Sequence, residues 1–160
     1  MGNMAIWTMG SPKNESGKSW QSQQASPHSV QFALTGKLMR SRQFWKLAPD
    51  TTQMYLTAGY GSGPDLSVLA RTSDGRTMMA YIPNGNRTRV TIKLAGITDP
   101  GGRVKCWWTN PSTGENLLIG TFSNSGSRTF TAPDSNDWVL TIDSNAANLC
   151  APGTCTAKPS

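Results

Sequence analysis

From Met54 to Asp143 the chain is cut into short runs in which apolar and polar residues alternate, each bounded by residues that turn the backbone. A period of two puts successive side chains on opposite faces of a strand, so each run can bury one face and wet the other. The sharpest instance is Arg103-Val-Lys-Cys-Trp-Trp-Thr-Asn-Pro-Ser-Thr-Gly114, where Val104, Cys106 and Trp108 fall on one side and Arg103, Lys105 and Trp107 on the other. Further runs span 54–57, 66–71, 77–82, 87–94, 116–122, 127–131 and 137–143. Leu66, Val68 and Ala70 share a face, Val90, Ile92 and Leu94 point inward, and Trp138, Leu140 and Ile142 are in phase. Ser73-Asp74-Gly75 suits a tight hairpin, because Asp-Gly tolerates the positive φ that such turns demand. Eight short strands at near-regular spacing predict a mainly β fold, an antiparallel β-sandwich with one N-terminal helix.

Ahead of the strands, residues 10–27 are polar and carry one isolated aromatic, Trp20. Ser26-Pro27 supplies an N-cap and a first-turn proline, and Val30, Leu34, Leu38, Phe44 and Trp45 follow at roughly helical spacing as far as Leu47. Ala48-Pro49-Asp50 then ends the helix. Three regions are expected: a loop plus helix over 1–50, the sandwich over 51–146 and a disulfide-pinned tail over 147–160. In the tail, Cys150 and Cys155 bracket Ala-Pro-Gly-Thr, a turn tight enough for a disulfide. Cys106 reads as a small buried hydrophobe. With three cysteines and the single His28 far from them, a zinc site is not expected, and no cofactor is implied.

Of the 160 residues, 36% are hydrophobic and 15% charged, and the net charge of +6 comes from scattered Lys and Arg without a run of like charges. Nucleic acid is therefore not the expected partner. No apolar stretch is long enough to span a membrane, and Met1 to Met9 lacks the basic start and apolar run of a signal peptide.

Catalysis finds little support in the residues. Glycoside hydrolysis needs two carboxyl groups about 5 to 10 Å apart. Asp74 before Gly75 and Asp99 before Pro100 read as turn formers, and Asp134 with Asp137 reads as a loop entering a strand. His28 stands at a helix start, and Gly59-Tyr-Gly-Ser-Gly63 lacks the Lys-Ser/Thr of a phosphate loop. Binding is better supported. Trp107, flanked by Arg103 and Lys105, could stack on a sugar ring; alternatively it lies under the helix, which must bury Leu34, Leu38 and Phe44. Tyr60 in the glycine-rich loop and Tyr81 on the polar face of its strand are further ligand-binding candidates. Trp108 and Trp138 are in phase with aliphatic neighbours and belong to the core.

Trp108-Thr-Asn-Pro-Ser-Thr-Gly114 resembles the aromatic-x-Asp-Pro-Arg-Thr-Gly turn of the C-terminal β-sandwich, called a collagen-binding domain, of apiosidase-like glycoside hydrolases. Asn110 and Ser112 depart from that pattern. Asp137-Trp-Val-Leu-Thr-Ile-Asp143 is similar to the last strand of that domain, and Leu66 to Arg71 with Met79 to Pro83 is similar to its first hairpin. Gly2 to Trp7 and Met39 to Asp50 resemble the final strand and closing helix of the family's (β/α)8 barrel. The resemblance implies a non-catalytic accessory module of a glycoside hydrolase, carbohydrate-binding or structural, at the tail end of a larger enzyme. Its partner would be a polysaccharide or a catalytic barrel, and its location secreted or periplasmic. Two alternatives stand beside it: a small polysaccharide-acting hydrolase, and a collagen or protein-surface binder.

Overall fold

A computed structural model describes residues 26–83 and 89–157. Gly2 to Trp7, Trp20 and the first two residues of the 87–94 run lie outside the described residues. One helix, α1 (Pro27–Arg40), precedes nine strands: β1 (Leu47–Pro49), β2 (Leu56–Ala58), β3 (Val68–Thr72), β4 (Thr77–Ile82), β5 (Arg89–Lys93), β6 (Arg103–Thr109), β7 (Asn116–Ser123), β8 (Ser127–Thr131) and β9 (Trp138–Ser144). A six-stranded sheet in the order β1-β3-β4-β9-β6-β7 faces a three-stranded sheet in the order β2-β5-β8, and all pairs are antiparallel. The mainly β, antiparallel sandwich with one helix is as the alternation indicates.

The inner faces meet in one core. Val104, Cys106 and Trp108 of β6, Leu140 and Ile142 of β9, Met78, Ala80 and Ile82 of β4, and Val90 and Ile92 of β5 are all buried there. Trp108 and Trp138 pack edge to face with centroids 6.4 Å apart, so both indoles are core residues. Burial pushes the Cys106 thiol up to about 12, which leaves it inert as a nucleophile.

Three details differ from the sequence reading, each for a tertiary reason. The helix does not run to Leu47. Ser41 caps it with its N–H on the carbonyls of Lys37 and Leu38, Gln43 turns left-handed at φ 30°, and Phe44–Lys46 forms a single 3₁₀ turn. Leu47–Pro49 is thereby free to pair with β3 as the ninth strand, on the edge, where a proline's missing N–H costs no ladder bond. The 54–57 run starts two residues late, because the Asp50 carboxylate accepts the N–H groups of Met54, Tyr55 and Leu56 and holds Met54 and Tyr55 in a loop ahead of the strand. Finally, the face shared by Val68 and Ala70 is the outer one, and the core takes Leu69 instead.

α1 begins as expected, with Ser26 Oγ accepting from Ser29 N–H at 3.3 Å and Pro27 in the first turn. It lies on the outer face of the six-stranded sheet, where Leu38, with Met39 and Leu47, packs on Met79 and Val139. Phe44, expected to be buried, is 46% exposed.

The helix exit is fastened by charge. Arg42, fully buried, donates from Nε and Nη2 to the Asp143 carboxylate at 2.9 to 3.1 Å, from Nη1 to Ser41 O, and from Nη2 to Cys150 O at 2.8 Å. Thr77 Oγ1 donates to Asp143 at 2.8 Å. The Cys150–Cys155 disulfide closes a loop whose Gly153 N–H donates to Ser41 Oγ and whose Pro152 carbonyl accepts from Asn116 Nδ2, both at 2.9 Å. Thiol titration of the unreduced native protein is expected to find no reactive cysteine, and after denaturation one, Cys106. Two or more thiols without reductant would contradict the pairing.

Candidate ligand-binding surface

β6 presents the residues singled out for binding. It pairs with β7 and β9, so its outer side chains stand on the exterior of the six-stranded sheet. Arg103 is exposed, whereas Lys105 and Trp107 are half-buried. A register shift between Cys106 and Trp107, opposite Gly120 at φ 140°, sets Trp107 across from Leu118 on one side and Thr141 on the other. Trp107 Nε1 and Thr141 Oγ1 are both buried and meet no hydrogen-bond partner among the described residues. Trp107 is therefore neither a free platform nor a core residue: one part of the indole is covered and the other is wet.

The two tyrosines stand apart from this strand. Tyr81 shares the outer sheet face but lies two strands away, with Val139 between it and β6. Its hydroxyl donates to Asp137 Oδ2 at 2.6 Å, and partial burial together with that carboxylate raises its pKa to about 12. Tyr60 belongs to the loop between β2 and β3, its carbonyl accepting Ser67 N–H at 2.7 Å. Arg103, Lys105 and Trp107 are thus gathered on one strand face, and neither tyrosine joins them.

The carboxylates are engaged in holding turns. Asp99 accepts from the N–H groups of Gly101, Arg103 and Ala146 and from Ser144 Oγ, and these donors, the serine foremost, bring its pKa down to about 2. Asp134 accepts from the Trp138 indole at 2.8 Å and from Asn136 N–H, which lowers its pKa. Asp74 accepts from Lys46 Nζ at 3.2 Å and from Arg76 N–H. In the turn after β6, Asn110 Oδ1 accepts from the N–H groups of Ser112 and Thr113, so the asparagine side chain closes this turn.

A shallow cavity of about 170 Å³ opens beside the helix exit, lined by Ser41, Arg42, Thr72, Thr77, Leu149 and Ala157 among others. Arg42 on its wall pairs with Asp143, a contact that no sequence pattern indicated: the two residues are 101 positions apart and each looks like an ordinary surface charge. Among the described residues no group of three or more His, Cys, Asp or Glu is placed to hold a metal ion, and no helix is long and apolar enough to cross a membrane.

Solved structures share this architecture. A glycoside hydrolase family 5 protein from Bacteroides vulgatus ATCC 8482 superposes with a TM-score of 0.70 at 22% identity, over 89% of this chain and 29% of that one. A second, described as a glycoside hydrolase, gives a TM-score of 0.72 at 20% identity, over 91% of this chain and 32% of that one. At such identities the likeness is one of fold, and this chain spans about a third or less of each of those proteins. No curated protein matches the sequence. Residues 52–143, which hold eight of the nine strands in whole or nearly so, match the model of a family described as "Putative collagen-binding domain of a collagenase". With more than half its length in that match, the chain belongs to this family of β-sandwich domains.

Proposed function

We propose that this protein is a non-catalytic accessory module of a glycoside hydrolase and that its N-terminal segment packs against a catalytic (β/α)8 barrel. The observation that carries this reading is apolar surface outside the family domain: Phe32 is 66% exposed, Trp45 48% and Phe44 46%. Phe44 and Trp45 pack edge to face at 5.4 Å on the single turn that follows Gln43. Large apolar groups of this kind, held rigidly in water, mark a surface made for contact. The similarity to the two glycoside hydrolases covers 89% and 91% of the chain, so it extends well beyond residues 52–143 into the part that carries these groups. The disulfide supports an oxidising compartment, secreted or periplasmic.

Sedimentation of the isolated chain tests the reading. With its contact face uncovered, the protein is expected to self-associate and bind a hydrophobic dye, and Phe44→Ser with Trp45→Ser should return it to a non-binding monomer. A dye-silent monomer in the unaltered protein would refute the docking face. A reducing-sugar assay on the same sample addresses the role: sugar release abolished by one carboxylate change would make it a hydrolase in its own right.

A further inference from the structure

The chain scatters its charges, but the fold sorts them. Antiparallel pairing brings the starts of β4 and β6 and the ends of β3, β7 and β9 to one end of the large sheet. The end of β5 and the start of β8 lie at the same end, because the chain crosses between the sheets there twice, after Lys93 and after Ser123. The two crossovers are bonded side by side. Ala95 N–H donates to Gly126 O at 3.3 Å, Asn124 N–H to Gly102 O at 2.9 Å and Asn124 Nδ2 to Ile97 O at 3.0 Å. The β3–β4 turn joins them through Thr98 N–H on Gly75 O at 2.9 Å.

Arg76, Lys93, Arg103, Lys105 and Arg128 all fall at this end. Its carboxylates are Asp50, Asp74, Asp99 and Asp143, and each is already engaged: Asp50 with the N–H groups of Met54, Tyr55 and Leu56, Asp74 with Lys46, Asp143 with Arg42, Asp99 with four donors. Those are the two ion pairs among the described residues, and the five cations take part in neither. Four of the five are exposed, and Arg128 is held by its contact with the Phe122 ring, 3.7 Å away. At the opposite end the balance reverses, with Asp65, Glu115, Asp134 and Asp137 against Arg89 among the described residues.

We infer that the basic end of the sandwich is a binding surface for an acidic polysaccharide, one that carries carboxylate or sulfate groups along its length. Strand ends and hydrogen-bonded crossovers set the cations apart, and the Ser123 and Ser125 hydroxyls between them can pair with sugar hydroxyls. A surface whose own acids are all internally bound attracts a polyanion without a competing partner to displace. The basic end stands on topology alone; the choice of a polysaccharide among polyanions rests on the accessory-module reading and on the disulfide. Because the Phe44 and Trp45 test uses other residues, a failure of the docking face is distinguishable from a failure of the basic end to bind.

The experiment is a binding titration of the whole protein with polygalacturonate, with neutral dextran and oligothymidylate alongside. Polygalacturonate is expected to bind, more weakly as salt is raised, and dextran not at all. Lys93→Gln and Arg103→Gln should each weaken binding about fivefold, the scale of one cation near an anionic surface. Arg89→Gln, which removes the same charge from the opposite end, should leave it unchanged. An equal loss with Arg89→Gln would show that net charge alone is responsible and overturn the site. So would a failure to bind polygalacturonate at low salt, and tighter binding of oligothymidylate would overturn the ligand class.

Discussion

Arg42→Ala is expected to destabilise the fold by about 3 to 5 kcal/mol, measured by urea denaturation, the cost of leaving a buried charge without its partner. The loss has identifiable parts. Among the described residues Asp143 would keep only Thr77 as a side-chain donor, and the carbonyls of Ser41 and Cys150 would each lose one. Arg42→Lys should recover little, since an ammonium cannot reproduce the fork that reaches Asp143 with two nitrogens and Cys150 with the same Nη2. Combining Arg42→Met with Asp143→Leu should recover most of the loss, because removing both charges also removes the desolvation they suffer. A stability change under about 1 kcal/mol for Arg42→Ala would show that the pair does not fasten helix and tail to the sheet.

The adjacent tryptophans of β6 should respond differently to truncation. Trp108→Ala removes a buried indole that packs against Trp138 and is expected to cost about 3 to 5 kcal/mol. Trp107→Ala removes a side chain that is still partly in water in the folded state, and about 1 to 2 kcal/mol is expected. Measuring polysaccharide binding on the same two variants decides the role of the outer indole. A binding loss with Trp107→Ala beyond its stability cost would assign it to ligand contact. Equal melting shifts for the two variants would mean that Trp107 is as deeply packed as Trp108, and the outer face of β6 would offer no aromatic surface.

What could be read from the sequence is what depends on neighbours along the chain. Alternation identified the inward sides of β5, β6 and β9 residue by residue, because a strand's faces follow from its own period. Ser26-Pro27 located the helix start, Asp74-Gly75 a hairpin, and the spacing of Cys150 and Cys155 a tight loop, each a local property of backbone or side-chain reach. The helix exit was not readable, because its end is decided by Arg42 reaching an aspartate 101 residues on and by β3 recruiting Leu47–Pro49 as an edge strand. Nor was the surface: the outer face of β6 was recognisable as polar, yet only the packed structure shows Trp107 half-covered and the two tyrosines elsewhere. The sequence alone determined an antiparallel β-sandwich with a helix ahead of it, since hydrophobic period and turn chemistry suffice for that. Which charges meet, and at which end of the sandwich, was decided by the tertiary structure, because antiparallel pairing joins residues whose separation in sequence carries no trace of their proximity.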